Sequence, residues 1–402
     1  MSTFEVPIRR VNIKNHSNAD RLEIAEIVGT DYQSLVGIGE YESGDLVAYL
    51  PEDSIVPEWI QEKLGVKGKL AGSDKNRIRS VRLRGVYSQG LCFPVKHVTD
   101  HPEFEDGHYI FRDSRALDGR LDEIDENYSV DPLYKKVEVG DDVQDFLGIE
   151  KYEPPVPVHM SGEVFNARGN TLKYDVENFR KYPDVFEEGE EVVVMEKIHG
   201  TWSCIGVVPE DEASTSSGRH IISSKGLSSK GLALKLNEKN EDNVYVRAAR
   251  KYNLLEKLSQ KEDGYYYILG EVFGRKIQDL EYGAEKDELF FRVFDIYKGS
   301  PKRASEGRYL NDAEIDEEVD RFDLKRVPVF YRGPYSKEKI SKFVSGQETF
   351  SGEENHMREG IVVRPAEERH VDENLPMGGR VQLKWKSEEY KLRNEKTATE
   401  RR

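Results

Sequence analysis

Residues 196–201 combine a lysine with a turn that could approach a phosphate. Lys197 follows the apolar run 192–195, and Gly200 precedes a second run at 205–208. This pattern predicts a hairpin, with Lys197 at the end of its first strand. A lysine attacks phosphorus only as the neutral amine, which desolvation or neighbouring positive charge would favour. Taken alone, K-x-x-G more often marks a surface lysine in a hairpin, because short motifs match by chance.

Two further lysines lie near the C-terminal end of the sequence. Lys384 and Lys386 alternate within one apolar segment, so a strand would place both on one face. Two ammonium groups on one face suit a triphosphate, and their field would favour the neutral form of a nearby lysine. The alternative is the basic, exposed face of a strand whose Trp385 points to the core.

Two glutamates interrupt segments that otherwise read as buried strands. Glu271 lies within the apolar run 269–273, and Glu359 precedes the run 361–363. A buried carboxylate without a partner is costly, so each should have a ligand or a counter-ion. Two separated carboxylates with phosphate oxygens between them suit Mg²⁺, which takes few protein ligands. The alternative for each is an ion pair at a strand edge, with Arg358 beside Glu359.

These residues fall in five short motifs that occur in one order along the chain. The sequences of these motifs and their order along the chain resemble those of the covalent nucleotidyltransferases. This superfamily includes ATP-dependent RNA ligases, DNA ligases and capping enzymes. The string EKIHGT resembles RNA ligases of the nick-sealing type. Five motifs in order form a specific signal, although each alone is weak. The segments that resemble family motifs I, III, IIIa, IV and V are Lys197–Gly200, Leu269–Gly274, Phe291–Ile296, Glu359–Arg364 and Val381–Lys386.

The resemblance implies an ATP-dependent RNA ligase. Lys197 would form lysyl-AMP, AMP would pass to a 5′-phosphate end, and a 3′-hydroxyl of RNA would then expel AMP. The expected partner is RNA or an RNA-containing duplex with a nick. The resemblance implies ATP as cofactor and Mg²⁺ or Mn²⁺ as metal. The residues it implies are, for catalysis, Lys197, Lys384 and Lys386; for the nucleotide, Glu196, His199, Gly200, Lys225, Glu271, Phe294 and Glu359; and for the metal, Glu271, Asp295 and Glu359.

Several of these positions carry an alternative or depart from the family pattern. Phe294 would stack on adenine, or else be an ordinary core phenylalanine, and Asp295 could instead cap a turn. His199 stands where DNA ligases and capping enzymes place an aspartate, which favours RNA ligases. Lys225 stands where the related nick-sealing ligases carry an arginine, and Trp202 replaces their asparagine. These last two departures put the recognition of RNA ends in question.

The chain is expected to be α+β, with two domains. Residues 1–150 predict an OB-like β-barrel that binds nucleic acid, resembling the N-terminal domain of the Deinococcus-type RNA ligases. Residues 156–402 predict an antiparallel-sheet nucleotidyltransferase domain, in which residues 241–258 and Ser336–Ser345 form helices. Three prolines between residues 154 and 157 predict the boundary. Five strands are expected in the first domain, at Leu22–Val28, Gln33–Ile38, Asp45–Leu50, Ile78–Leu83 and Leu91–Val95.

One basic segment stands out in a chain whose net charge is −16. Such a charge argues against gripping nucleic acid by bulk electrostatics, so local basic patches would have to act. The segment 75–84 carries five cations along an expected strand, whose change of phase predicts a bulge or bend. They could contact phosphates, or they could pair with the many acids nearby. The arginines proposed to bind nucleic acid are Arg77, Arg79, Arg82 and Arg84.

Bulk composition narrows the remaining possibilities. Cys92 and Cys204 are isolated, which argues against a disulfide framework or a zinc cluster. No run approaches the ~18 apolar residues of a membrane span. The sequence therefore predicts an intracellular protein, cytoplasmic or nuclear, with no evident protein partner. DNA ligases and capping enzymes carry an OB domain after the segment that resembles motif V. Residues 387–402 are too few for such a domain, which disfavours these two classes. A non-catalytic RNA-binding protein is disfavoured by the intact lysines and glutamates.

Overall fold

The computed structural model describes residues 4–102, 104–112, 133–153, 158–261, 264–303, 306–371 and 379–393. These residues form two compact units. The smaller unit contains the described residues up to 153 together with 180–183, and the larger unit contains the others up to 391. The proline segment at 154–157 lies outside the described residues. The expected domain limits, 1–150 and 156–402, remain predictions.

The smaller unit is built mainly from short strands. Its elements are β1 (Ile8–Asn15), β2 (Leu22–Ile27), β3 (Gln33–Gly37), β4 (Leu46–Leu50), β5 (Ser54–Ile55), α1 (Glu58–Lys63), β6 (Val81–Leu83), β7 (Val86–Ser88), β8 (Leu91–Pro94), β9 (Lys96–Val98), β10 (Gly107–Phe111), β11 (Tyr134–Lys136), α2 (Gln144–Leu147) and β12 (Glu150–Lys151).

An antiparallel sheet in the order β3-β2-β1-β4-β8 organises this unit. Side chains from alternate strand positions, such as Ile8, Ala48 and Phe93, fill its core and are fully buried. This confirms the expected OB-like fold. The sequence prediction missed β1, whose polar residues at its exposed positions hide the strand pattern.

The basic segment is not one bulged strand. β6 begins only at Val81, so Arg77 and Arg79 precede it. β6 pairs with β7 through a two-residue turn, Arg84-Gly85. Both turn residues have positive φ, 51° and 89°, as the tightest hairpin connections require. The alternation of basic and apolar residues changes phase because the residues before Val81 are not in a strand and the hairpin begins there.

The larger unit combines two five-stranded sheets and a two-stranded sheet of Val164–Asn166 and Leu232–Leu234 with short helices. Its elements are β13 (Val164–Asn166), β14 (Glu177–Asn178), β15 (Glu191–Lys197), β16 (Thr201–Val207), β17 (His220–Ser224), α3 (Lys225–Ser229), β18 (Leu232–Leu234), α4 (Val244–Lys251), α5 (Leu254–Ser259), β19 (Tyr266–Gly274), β20 (Leu289–Gly299), β21 (Gly307–Tyr309), α6 (Asp312–Arg321), β22 (Val329–Pro334), α7 (Lys337–Ser341), β23 (Gly360–Pro365), β24 (Leu383–Lys386) and α8 (Glu388–Leu392).

Two five-stranded sheets carry the motifs. One has the order β14-β24-β23-β15-β22 and the other β17-β16-β19-β20-β21. Within them the pairings are antiparallel except β14 with β24, which are parallel. Strands β15 and β19 are almost continuously buried, as their apolar sequences predicted, whereas β20 alternates between buried and half-buried positions over its first half. The expected α+β class, with an antiparallel-sheet domain after the OB-like domain, is confirmed.

The segment around Lys197 is not a hairpin. β15 pairs with β22 and β23 in the first sheet, whereas β16 pairs with β17 and β19 in the second. Residues 198–200 therefore carry the chain from one sheet to the other. Sequence alone could not distinguish the two arrangements, because both read as strand, short connection and strand.

The helical predictions need two further corrections. The single helix expected over 241–258 is divided into α4 and α5 at Asn253, whose φ of 52° is left-handed and stops the first helix. The helix expected at Ser336–Ser345 is shorter, since α7 ends at Ser341. None of the helices in the described ranges has both the length and the apolar content needed to span a membrane.

Candidate active site

The lysine at the end of β15 lies beside a buried glutamate. Lys197 pairs in register with Gly360, and Gly360 pairs with Lys386, so three adjacent strands bring these positions together. Oε1 of Glu359 lies 3.0 Å from Nζ of Lys197 and 2.8 Å from Nζ of Lys386. Burial alone would raise the pKa of Glu359, but the two ammonium groups hold it well below its usual range. Glu359 is thus an ionised carboxylate shared by two lysines.

A second carboxylate comes from the other sheet. Burial raises the pKa of Glu271 on β19 to about 7, an effect opposed by Lys197 and increased by Glu359. The backbone N–H of Gly200 donates to Glu271. A Cβ on Gly200 would lie 2.4 Å from the carbonyl oxygen of Val272. Glycine is therefore required here for close packing against β19, whereas the sequence suggested an approach to phosphate.

His199 is held from several directions. Its Nε2 lies 2.6 Å from Oδ1 of Asp279, and its Nδ1 lies 2.8 Å from the hydroxyl of Tyr390 and 3.5 Å from Oε2 of Glu359. Its backbone N–H donates to the hydroxyl of Tyr282 at 2.6 Å. The ring contacts Glu359 but does not line the cavity between the two sheets.

This cavity opens beside Lys197. One part of its wall is apolar, and the other carries charged groups that could bind phosphates. A single cavity therefore offers both an apolar slot for a base and a charged region beside the lysine. Its lining residues are Tyr174, Asp175, Val176, Met195, Glu196, Lys197, Ile198, Trp202, Lys225, Glu271, Phe294, Val327, Val362, Gln382 and Lys384.

Glu196 provides a buried acceptor in the cavity wall. Its Oε2 accepts from the backbone N–H of Thr349 at 3.1 Å and from the hydroxyl of Thr349 at 2.6 Å. Its Oε1 is buried and has no hydrogen-bond partner among the described residues. Burial raises the pKa of Glu196. An acceptor of this kind can recognise an amino group on a ligand.

Lys384 and Lys225 surround a second buried acid, Asp175. Nζ of Lys225 lies 2.8 Å from Oδ1 of Asp175. Burial, assisted by the positive charge of Lys386 and opposed by Asp175, lowers the pKa of Lys384 to about 7. Burial would raise the pKa of Asp175, but Lys225 and Lys384 outweigh it. Lys384 can therefore gain or lose its charge near neutral pH.

The sequence analysis missed part of this cavity. Asp175 and Tyr174 precede all five motifs and reach the site because β14 pairs with β24. Val362 and Gln382 lie within the segments that resemble motifs IV and V, but the sequence analysis gave them no role. Side-chain alternation was a signal for Gln382, which lies two residues before Lys384. No comparable local signal marks Asp175.

Asp295 does not join the expected metal site. It is fully buried, and its Oδ2 lies 2.7 Å from Arg380 and accepts from the hydroxyl of Tyr174 at 3.0 Å. Its Oδ1 lies 3.4 Å from Arg364. Arg364 and Arg380 pair with this buried carboxylate, so we propose a structural role for it in place of the expected metal contact. Among the described residues, no cluster of three or more acidic, histidine or cysteine side chains could hold a metal by itself.

The four arginines proposed to bind nucleic acid differ in their surroundings. Arg77 pairs with Asp53 at 2.5 Å, and its guanidinium lies 3.7 Å from the ring centre of Tyr152. It therefore has a structural partner of the kind considered as the alternative. Arg79 and Arg82 are half-buried, and Arg84 is exposed at the β6–β7 turn. The hairpin thus presents Arg84 to solvent, while Arg77 holds the preceding segment.

Comparison with known proteins agrees with this geometry. The profile of the RNA ligase family matches residues 190–386, and that of an OB-fold domain matches residues 6–95. No curated protein gives a significant match. A ligand-free mutant of Naegleria gruberi RNA ligase has 22% identity and a TM-score of 0.69, over 98% of this chain and 99% of that chain. A mutant of the same enzyme with ATP and Mn has 23% identity and a TM-score of 0.67, over 96% and 98%.

A third structure, of that enzyme with PPi, has 22% identity and a TM-score of 0.68, over 98% of this chain and 99% of that chain. At these identities the likeness establishes the fold of both domains.

Proposed function

Through residues 190–386 this chain belongs to the RNA ligase family, and we propose that it seals nicks by joining a 3′-hydroxyl RNA end to a 5′-phosphate end. ATP supplies the energy in two covalent stages, lysyl-AMP and then an adenylylated 5′ end. The observation that carries the proposal is the position of Lys197. It shares one carboxylate with Lys386 and lines the same cavity as Phe294, Glu196 and Lys384.

The first step is attack of Nζ of Lys197 on the α-phosphorus of ATP. An N–P bond forms, the P–O bond to pyrophosphate breaks, and the ammonium proton must leave Lys197 beforehand. Neighbouring positive charge favours that loss, and Glu359 at 3.0 Å orients the amine. Lys384 and Lys386 stabilise the negative charge that develops on the phosphate oxygens. Most of the catalysis is positioning and electrostatics.

The apolar part of the cavity suits a purine. Phe294 and Val362 provide apolar surfaces in the cavity wall. The buried Oε1 of Glu196 could accept from the amino group on C6 of adenine, whereas guanine presents a carbonyl oxygen at that position. The site therefore favours ATP over GTP, because guanine would place two acceptors against each other.

The two glutamates fit a divalent cation. Glu271 is desolvated and has no ion-pair partner within 4.0 Å among the described residues, as a carboxylate awaiting a cation would be. Glu359 lies 3.0 Å from Nζ of Lys197, the lysine whose charge also acts on Glu271. Together with phosphate oxygens they would satisfy Mg²⁺ or Mn²⁺, which need few protein ligands. When bound, the cation neutralises charge on the triphosphate. The similar Naegleria enzyme has been solved with ATP and Mn.

The OB-fold domain would hold the duplex. OB-folds bind oligonucleotides, and the β6–β7 hairpin presents Arg84 to solvent beside the half-buried Arg82. A net charge of −16 leaves little general attraction for RNA, so such local cations would carry the phosphate contacts. The natural substrate would then be a nick with RNA on its 3′-hydroxyl side.

The proposal is tested by labelling and by sealing. The protein is incubated with radiolabelled ATP, GTP and NAD in parallel, and the labelled tryptic peptide is sequenced. We expect label from ATP alone, on the peptide containing Lys197. Nicks with RNA or DNA on the 3′-hydroxyl side are then compared, and we expect sealing of the RNA nick. Label from GTP would indicate a capping enzyme. Equal sealing of both nicks would indicate a DNA ligase, and the absence of label would indicate a binding protein.

A further inference from the structure

His199 has an unusual set of neighbours for a residue beside a nucleophile. Asp279, which contacts its Nε2 at 2.6 Å, lies in the connection between β19 and β20, at 275–288. Tyr390, which contacts its Nδ1 at 2.8 Å, lies on α8. Tyr282, from the same connection as Asp279, accepts the backbone N–H of His199. Backbone and ring are thus fixed separately, and the ring has one orientation.

The chemistry of these partners sets the position of a proton. An ionised carboxylate only accepts hydrogen bonds, so Nε2 of His199 must carry the proton that faces Asp279. Nδ1 faces the hydroxyl of Tyr390 at 2.8 Å, and a hydroxyl can either donate to it or accept from it. That same edge of the ring lies 3.5 Å from Oε2 of Glu359. Asp279 therefore decides which face and which nitrogen His199 presents to the shared carboxylate.

We infer that Asp279 is a positioning residue for adenylylation: it orients His199, which in turn supports Glu359 beside Lys197. This inference rests on the proposed function. Asp279 is not among the residues that line the cavity, and its side chain is 45% exposed. Its contact with the site is the one to the imidazole of His199. Removing a group that orients a metal-binding histidine typically lowers activity by about 10–100-fold, and we expect a loss of the same order here.

Removal of Asp279 should affect catalysis and not stability. A half-exposed ion pair contributes little to folding, so removal of Asp279 should leave thermal stability nearly unchanged. The apolar wall and Glu196 would still bind ATP. A loosely oriented His199 should therefore slow the chemical step and leave KM for ATP unchanged. Loss of a structural contact at the surface would not slow the chemical step.

The test uses the full-length protein and lysyl-AMP formation under steady-state ATP. Asp279→Ala should reduce kcat by about 10–100-fold and change KM by less than about twofold. Asp279→Asn should recover most of the rate, because its amide oxygen still accepts from Nε2. The matched control is Glu285→Ala, which removes an exposed carboxylate from the same connection and should leave both constants unchanged.

A double variant shows whether Asp279 acts through the ring. In a His199→Gln background, Asp279→Ala should cause no further loss of rate, because coupled residues are not additive. The inference is overturned if Asp279→Ala forms lysyl-AMP at the parent rate, if only KM rises, or if its effect is undiminished with His199→Gln. A parent protein that takes no label from ATP would overturn the proposed function and the inference with it.

Discussion

The ammonium of Lys197 lies 3.0 Å from the carboxylate of Glu359. Nucleophile and carboxylate come from adjacent antiparallel strands, in which Lys197 pairs with Gly360. A lysine attacks phosphorus only as the neutral amine, so the proposed adenylylation requires proton loss from Lys197. Strand register, which is fixed before any ligand binds, places the two groups side by side.

Lys197→Ala should abolish covalent labelling by ATP and leave the fold intact. Lys197 is the proposed nucleophile, so no neighbouring group should take its place. Labelling followed by gel autoradiography measures the first effect, and circular dichroism measures the second. Lys230→Ala, which changes an exposed lysine, serves as control. A labelled Lys197→Ala protein, or an adenylylated tryptic peptide without residue 197, would contradict the assignment.

Glu271→Ala and Glu359→Ala should each reduce labelling in Mg²⁺ severely. Both are proposed to organise the metal and the nucleotide. Asp295→Asn should differ from them: because Asp295 is buried between two arginines, this variant should lower the melting temperature instead. Initial labelling rates and thermal melts separate the two classes. Near-normal labelling by either glutamate variant would reassign that residue to structural pairing.

Binding of pyrophosphate should weaken as the pH rises through about 7. Burial lowers the pKa of Lys384 to about 7, so the ammonium is present below this pH and absent above it. The decrease in affinity should approach tenfold per pH unit at most. Lys384→Arg keeps its charge throughout, so the parent should lose affinity more steeply than this variant between about pH 6 and 8.5. Calorimetry without metal measures both, and the titration of pyrophosphate itself is common to the two proteins. Parallel profiles would contradict the role of Lys384.

Gly200→Ala should destabilise the protein by about 1–3 kcal/mol. The new methyl group would lie 2.4 Å from the carbonyl oxygen of Val272 and 2.8 Å from Cβ of Phe273. Gly226→Ala is the matched control, because no atom lies within 4 Å of its Cβ position on α3. The control should keep or slightly raise stability. Equal unfolding free energies in urea for the two variants would show that the connection at Gly200 can relax.

The double variant Arg82→Ala, Arg84→Ala should weaken binding to a nick and impair its sealing. For every phosphate that the variant no longer neutralises, the salt dependence of binding should fall by about 0.9 log–log units on B-form DNA. Arg77→Ala should instead lower thermal stability, because Arg77 pairs with Asp53. Binding against salt, and sealing of a pre-adenylylated nick, distinguish these outcomes. A double variant that binds and seals like the parent would leave the grip on the duplex to the ligase domain.

The sequence by itself determined the β-rich character of both domains, and it predicted Lys197 as the nucleophile together with both glutamates and the paired lysines. These features depend on local patterns: apolar runs, alternation along a strand, and motifs in a fixed order. Strand β24, with Lys384 and Lys386 two residues apart, could be predicted because side chains at i and i+2 share a face. The same local reasoning correctly placed Lys197 at the end of β15.

Only the tertiary structure decided which distant residues meet. Asp175 reaches the cavity because β14 pairs with β24, and Asp279 reaches His199 from the connection after β19. Asp295 has the right position in its motif, yet Arg364 and Arg380 neutralise it in the core. A short sequence window contains no information on which acid will face which cation, because such pairs form between strands far apart in the chain and are selected by burial and register.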